Sequence, residues 1–144
     1  MIGHRGRNSV GFTLIELTIV VGIVAILAAL AISGYGYAMV KSRRSAAEGC
    51  LQESAQFMER FYTTNLAYDE TPSPDNEAVA DPKCSQDVTP YYTVGFATGE
   101  PTPTTYKLQA VPTSKQKDSR CGTLTIDNKG IKTASGTGGV AACW

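Results

Sequence analysis

The spacing of hydrophobic residues changes character twice along the first half of the 144-residue chain. From Phe12 to Ile32 the sequence FTLIELTIVVGIVAILAALAI is apolar all round, with Glu16 the one charge in 21 residues. At about 1.5 Å per residue such a helix covers roughly 30 Å, the hydrocarbon thickness of a bilayer. This stretch therefore predicts a membrane-embedded helix. From Ala38 to Asn65 the pattern becomes a stripe: Ala47, Cys50, Leu51, Ser54, Met58, Phe61 and Tyr62 recur at three- and four-residue steps, with Phe57 beside them. Lys41, Arg43, Arg44, Glu53 and Glu59 fall mostly off it, which predicts an amphipathic helix needing a surface to pack on. Proline is absent from Met1 to Ala67, so the two halves predict one helix over about Phe12–Asn65, roughly 80 Å long.

The second half of the chain reads differently. Residues 67–90 form a polar connector with six acids against Lys83. Its acids do not follow the D-x-[DN]-x-[DN]-G spacing of a calcium loop, so a solvated loop is expected and no metal. Strand-like runs follow at Tyr91–Phe96, Thr105–Val111 and Gly122–Asp127, the last paired through Asn128-Lys129-Gly130 with Ile131–Thr133. These predict a small antiparallel sheet laid across the amphipathic half-helix, an α+β fold.

Four cysteines, Cys50, Cys84, Cys121 and Cys143, show no C-x-x-C spacing, which removes redox and zinc readings and leaves three possible disulfide pairings. The pairing Cys121–Cys143 is favoured because the glycine-rich Ala134–Gly139 segment would otherwise let the tail fray. Cys50–Cys84 follows, tying the connector to the helix. A domain exposed outside the cytoplasm meets an oxidising compartment, in which such bridges are expected to form.

The flanks of the apolar stretch bear on topology. Met1–Gly11 carries Arg5 and Arg7 and no acid, marking a cytoplasmic side, although Lys41, Arg43 and Arg44 beyond the span leave that rule undecided. After Ile32 stands Ser-Gly-Tyr-Gly-Tyr, without the small-residue cleavage pattern of a secretory signal, so the span is expected to be retained.

The run Gly11-Phe12-Thr13-Leu14-Ile15-Glu16, behind a short basic leader and ahead of a long apolar helix, resembles the processing site of type IV prepilins. The resemblance implies that a prepilin peptidase cuts after Gly11 and N-methylates Phe12, so that residues 1–11 are a removed leader. Residues 12–36 would then be the transmembrane and filament-core half-helix, and 37–144 the globular head. It also implies that Glu16 meets the Phe12 amine of a neighbouring subunit during assembly. A carboxylate in hydrocarbon costs several kcal/mol unless neutralised or paired, and one buried charge selecting one cation sets register. The chain departs from the family pattern at Ala25, where a glycine is usual, and at Ser33, where a proline is usual. Gly22, Gly34 and Gly36 could supply the missing softness. Met58–Asn65, Cys121-Gly122-Thr123-Leu124 and the terminal Cys143-Trp144 are similar to PilE-type minor pilins.

The function implied is that of a structural pilus subunit, a minor pilin in a filament used for adhesion and twitching motility. A major pilin and a pseudopilin of type II secretion are the alternatives. Its implied partners are other pilins met through the N-terminal helix, the peptidase and the inner-membrane assembly machinery of a Gram-negative cell. The subunit would wait in that membrane with its N-terminus cytoplasmic and end in the extracellular pilus. Charge narrows the field further. The chain has 13 Lys+Arg and 13 Asp+Glu; losing Arg5 and Arg7 with the leader leaves 11 bases against 13 acids. The one histidine, His4, would leave too, which removes Ser-His and Cys-His catalysis, and no enzyme activity or cofactor is expected. Lys115, Lys117, Arg120, Lys129 and Lys132 lack the aromatic interleaving of a nucleic-acid surface and read as a solvated face, so no nucleic-acid partner is expected.

Overall fold

The computed structural model describes residues 11–144; the leader expected at 1–11 lies outside the described residues except for Gly11. Helix α1 runs Leu14–Asn65, followed by strands β1 (Tyr92–Phe96), β2 (Lys107–Pro112), β3 (Leu124–Asp127) and β4 (Lys132–Ala134), and a short helix α2 (Val140–Cys143). The chain divides into two compact units, one ending at Tyr37 and one running Ala38–Trp144.

The first unit is bare helix. From Phe12 to Ile32 the large apolar side chains are 50–84% exposed. This segment belongs to the one helix among the described residues that is long and apolar enough to cross a membrane, with a mean hydropathy of 2.7.

In the second unit α1 presents Ala47, Leu51, Ala55 and Met58 to the core, a stripe at spacings of four, four and three. The strands form one antiparallel sheet in the order β1-β2-β3-β4. Register places Leu108 opposite Ile126 and Ala110 opposite Leu124, so the alternating positions of β2 and β3 deliver four buried side chains to one face. Tyr92, Leu51, Met58, Leu108 and Leu124 are fully buried, each aliphatic or thioether side chain contributing roughly 1.5–3 kcal/mol by leaving water. Tyr68 and Tyr106 join them, their rings in edge contact at 4.9 Å, and both donate to the Glu59 carboxylate.

Boundaries differ from the hydrophobic pattern for identifiable reasons. Helix α1 starts at Leu14, not Phe12, because Thr13 caps it (below). It ends where Leu66 turns to φ 60. The strand expected from Gly122 begins at Leu124, since Gly122 has φ +63 and an added Cβ would collide with Ser135 Oγ. The hairpin turn follows Asp127, whose Oδ1 accepts from the Lys129 and Ile131 amides, with Gly130 at φ +71. Helix α2 was not foreseen: one turn of Val-Ala-Ala-Cys after three glycines has too few residues to show a period. The helix stripe also needs correction: Ala47, Leu51 and Met58 are buried as expected and Ala55 joins them, whereas Cys50, Ser54, Phe61 and Tyr62 are only partly buried. Phe57 is 44% exposed and lies off the sheet, where it lines a cleft of about 340 Å³ with Met58, Pro82 and Lys83.

Candidate functional site

The N-terminal segment begins outside any regular element: Gly11, Phe12 and Thr13 precede the helix. The Thr13 carbonyl accepts from the Leu17 amide at 3.2 Å, the first helical bond, and Thr13 Oγ1 accepts from the Glu16 amide at 3.2 Å. Thr13 is therefore the N-cap and Glu16 the third helical residue, half of a T-x-x-E capping box. That pattern stood in the sequence, hidden under the processing motif. The acid also sits in the first turn, where the helix dipole favours negative charge. Among the described residues Glu16 forms no ion pair within its own chain. Phe12, Leu14 and Ile15 around it are 68–84% exposed. The segment thus holds a bulky apolar residue and a carboxylate without an ion-pair partner among the described residues one helical turn apart, on an exposed surface.

In the head, the structure brings together residues that hydrophobic spacing did not connect. Arg44, expected off the stripe, is 4% exposed. It lies three and seven residues before Ala47 and Leu51, on their face, and is buried because it meets Asp118 there. Arg44 Nη1 donates to Asp118 Oδ1 and Oδ2 at 3.0 and 2.9 Å and to Cys121 Sγ at 2.8 Å, while its Nε lies 3.7 Å from Glu48 Oε1. Tyr92 OH donates to Asp118 Oδ2 at 3.0 Å. Gln116 Nε2 donates to the Val40 carbonyl at 3.0 Å and to Tyr92 Oη at 3.2 Å. Buried charge is tolerated when paired and hydrogen-bonded, and these contacts provide both. Burial pushes the Tyr92 phenol up to about 12, with Asp118 adding to the rise. Burial likewise raises Glu48 against the opposing pull of Arg44.

Cys50 is bridged to Cys84 and Cys121 to Cys143. The second bridge is buried at both ends and fixes α2, which packs on β4. The tail lies so close to the chain before it that a Cβ at Gly136 would collide with the Arg120 carbonyl. Trp144 completes the closure: its indole Nε1 donates to the Thr133 carbonyl at 2.9 Å, and Lys132 Nζ sits 4.7 Å from its ring centroid. Lys115, Lys117, Arg120 and Lys129 are exposed on the same stretch of chain.

A bare apolar helix with a capped acidic first turn, joined to a disulfide-closed four-stranded head, is the setting for the comparisons with known proteins. Residues 33–125 match the family model of the type IV minor pilin ComP, DNA uptake sequence receptor. Residues 7–32 match the prokaryotic N-terminal methylation motif. The chain belongs to the type IV minor pilin family. It is a subunit of a type IV pilus, in a family of structural proteins rather than enzymes, and the major-pilin alternative is not favoured. A high-resolution structure of a type IV pilin from Shewanella oneidensis is similar, with 33% identity and a TM-score of 0.50 over 73% of this chain and 97% of that one. The non-core minor pilin PilV of Neisseria meningitidis, 24% identical at a TM-score of 0.50 over 68% of this chain and 88% of that one, shares the fold. The type IV wide pilus major component PilA4 of Thermus thermophilus is 39% identical over 62 residues, 43% of this chain and 47% of that relative's length. The chain thus spans about half of that curated relative.

Proposed function

We propose that this pilin is cut between Gly11 and Phe12 by a prepilin peptidase and methylated on the new Phe12 amine. It is held in the inner membrane of a Gram-negative cell by the apolar half of α1, N-terminus on the cytoplasmic side. It then enters or primes a filament in which the Glu16 carboxylate of one subunit meets the Phe12 amine of the next. The observation that carries this reading is the Thr13 cap. It starts the helix at Leu14 and leaves the Gly11–Phe12 peptide outside the helix, in the form a peptidase can bind. It also holds the acid one turn inside an uncovered apolar surface.

Two substitutions test it. Gly11→Leu should leave full-length precursor in the membrane, and normal mature protein from that variant would refute the cleavage site. Glu16→Ala should insert normally while its ratio in sheared filaments to membranes falls about tenfold, the change for roughly 1.4 kcal/mol of lost pairing. Glu16→Gln separates pairing from capping: a charge-driven partner is lost in Gln as in Ala, whereas a cap is largely kept.

A second reading, capture of DNA, is favoured by the family description and by one contact. Residues 107–132 carry six bases against Asp118 and Asp127, and Asp118 is neutralised by Arg44. Lys132 stands over Trp144, an aromatic beside bases that sequence spacing kept apart. Titration with short duplex DNA at several salt concentrations tests it. Tight binding with a steep salt slope, lowered by Lys115→Ala and Lys117→Ala, would support it; absence of binding at low salt would end it.

A further inference from the structure

The two edges of the sheet are not alike. Strand β4 is three residues long, carries Lys132 and has α2 packed on it. Strand β1, Tyr92–Phe96, has no charge, no proline and no covering element hydrogen-bonded to it. Its ladder phase follows from its ends: the Thr113 amide donates to the Tyr91 carbonyl and the Ala97 amide to the Lys107 carbonyl. The odd-numbered residues therefore bond to β2, and Tyr92, Val94 and Phe96 direct their N–H and C=O groups to the open side. Two of these six groups are already used. The Tyr92 amide donates to the Val88 carbonyl at 2.9 Å, and the Phe96 carbonyl accepts from Gln109 Nε2 at 3.3 Å. Among the described residues the Tyr92 carbonyl, both Val94 groups and the Phe96 amide have no partner.

We infer that this edge pairs with the same edge of a second copy of the chain, antiparallel and centred on Val94. In that register each Val94 amide donates to the Val94 carbonyl of the other copy. Each Phe96 amide donates to the Tyr92 carbonyl of the other copy. All the free groups find partners, and the two occupied groups face each other, so none is orphaned. No other register of β1 on itself does both. On the outer face Thr93 falls opposite Gly95, the smallest neighbour available, and no like charges meet. An unguarded edge of this kind is what soluble proteins ordinarily blunt with lysine, proline or a cover. A two-fold pair also differs from the head-to-tail contacts that build a helical filament, so it joins heads outside a single filament's repeat.

Amide hydrogen exchange on the full chain in detergent micelles, followed against protein concentration, tests the pairing. Thr93 and Gly95 should be protected throughout by the β2 ladder. Val94 and Phe96 should exchange freely when dilute and slow about tenfold once nine-tenths of the chains are paired. Gly95→Lys has room, since an added Cβ meets nothing within 4 Å; it should abolish the concentration-dependent protection and leave Thr93 protected. Fast exchange at Val94 and Phe96 at every concentration would overturn the inference. So would a rise in particle mass without that protection, which would mean association through the apolar helix. Protection that appears only when a different pilin is added would assign the edge to another occupant and overturn it as well.

Discussion

Helix α1 is one element with two surfaces, and the contrast explains most of the molecule. Before Tyr37 its large apolar side chains are at least half exposed around the whole circumference; after Ala38 one stripe is sealed under the sheet and the rest is mostly polar, with Phe57 the exposed exception. Propensity does not separate the halves, because both are uninterrupted helix. What separates them is where the buried face finds its partner. An amphipathic stripe can be satisfied by its own chain, which here supplies a sheet, two tyrosines and a buried Arg–Asp pair. A helix apolar on every side exceeds what one small head can cover, and its partner has to be lipid or other subunits.

The contrast can be broken most strongly at Arg44. Arg44→Met leaves Asp118, whose side chain is 2% exposed, charged and unpaired. Unfolding should lose about 3–5 kcal/mol, measured by urea denaturation in detergent followed on Trp144, the one tryptophan. A matched pair comes next. Leu51→Ala, in the sealed stripe, should cost the head about 2–5 kcal/mol, whereas Leu27→Ala, in the bare half, should leave head stability unchanged; equal losses would erase the distinction. Replacing Cys121 and Cys143 together by serine opens a bridge spanning 22 residues, worth about 3 kcal/mol in the chain-entropy model. The loss should come with solvent exposure of Trp144 by fluorescence and no change in membrane insertion.

The smallest effect is alkaline. Below pH 10 the Tyr92 phenol is protonated whether the chain is folded or not. From 10 towards about 12 the unfolded chain ionises while the buried phenol keeps its proton, so stability falls as pH rises through that window. Tyr106 and Tyr68, also raised by burial and Glu59, act in the same direction. Tyr92→Phe should flatten the fall in urea midpoints across that window.

How much was legible in the sequence depended on the range of the signal. The span of α1, the presence of the strands and the hairpin at Asn128-Lys129-Gly130 rest on local periodicity and turn residues, and these read directly; the order of the strands in the sheet did not. The strand ends moved by one or two residues where tertiary detail decided them, as at Gly122 against Ser135. Arg44 was misplaced because an arginine in a basic run beside a stripe normally points to water. Its partner lies 74 positions away, and no spacing announces such a pair. Tyr68 and Tyr106 escaped for the same reason: one stands in a connector and the other just before a strand, and they meet each other and Glu59 only in the folded chain. At the N-terminus the reverse held. The motif Gly11–Glu16 was read for its chemistry, and the plainer capping pattern inside it went unseen.

The connector between α1 and β1 is closed at its root and open at its crown. Cys84 is bridged to Cys50, the Val79 amide donates to the Asp69 carbonyl at 2.7 Å, and the Thr71 amide donates to the Glu77 carbonyl at 2.9 Å. Residues 72–78 between these ties are all exposed. Because the root carries the fold, the crown can exchange residues freely without disturbing the core. Substitutions within residues 72–78 should therefore change the face this subunit shows while its scaffold stays the same.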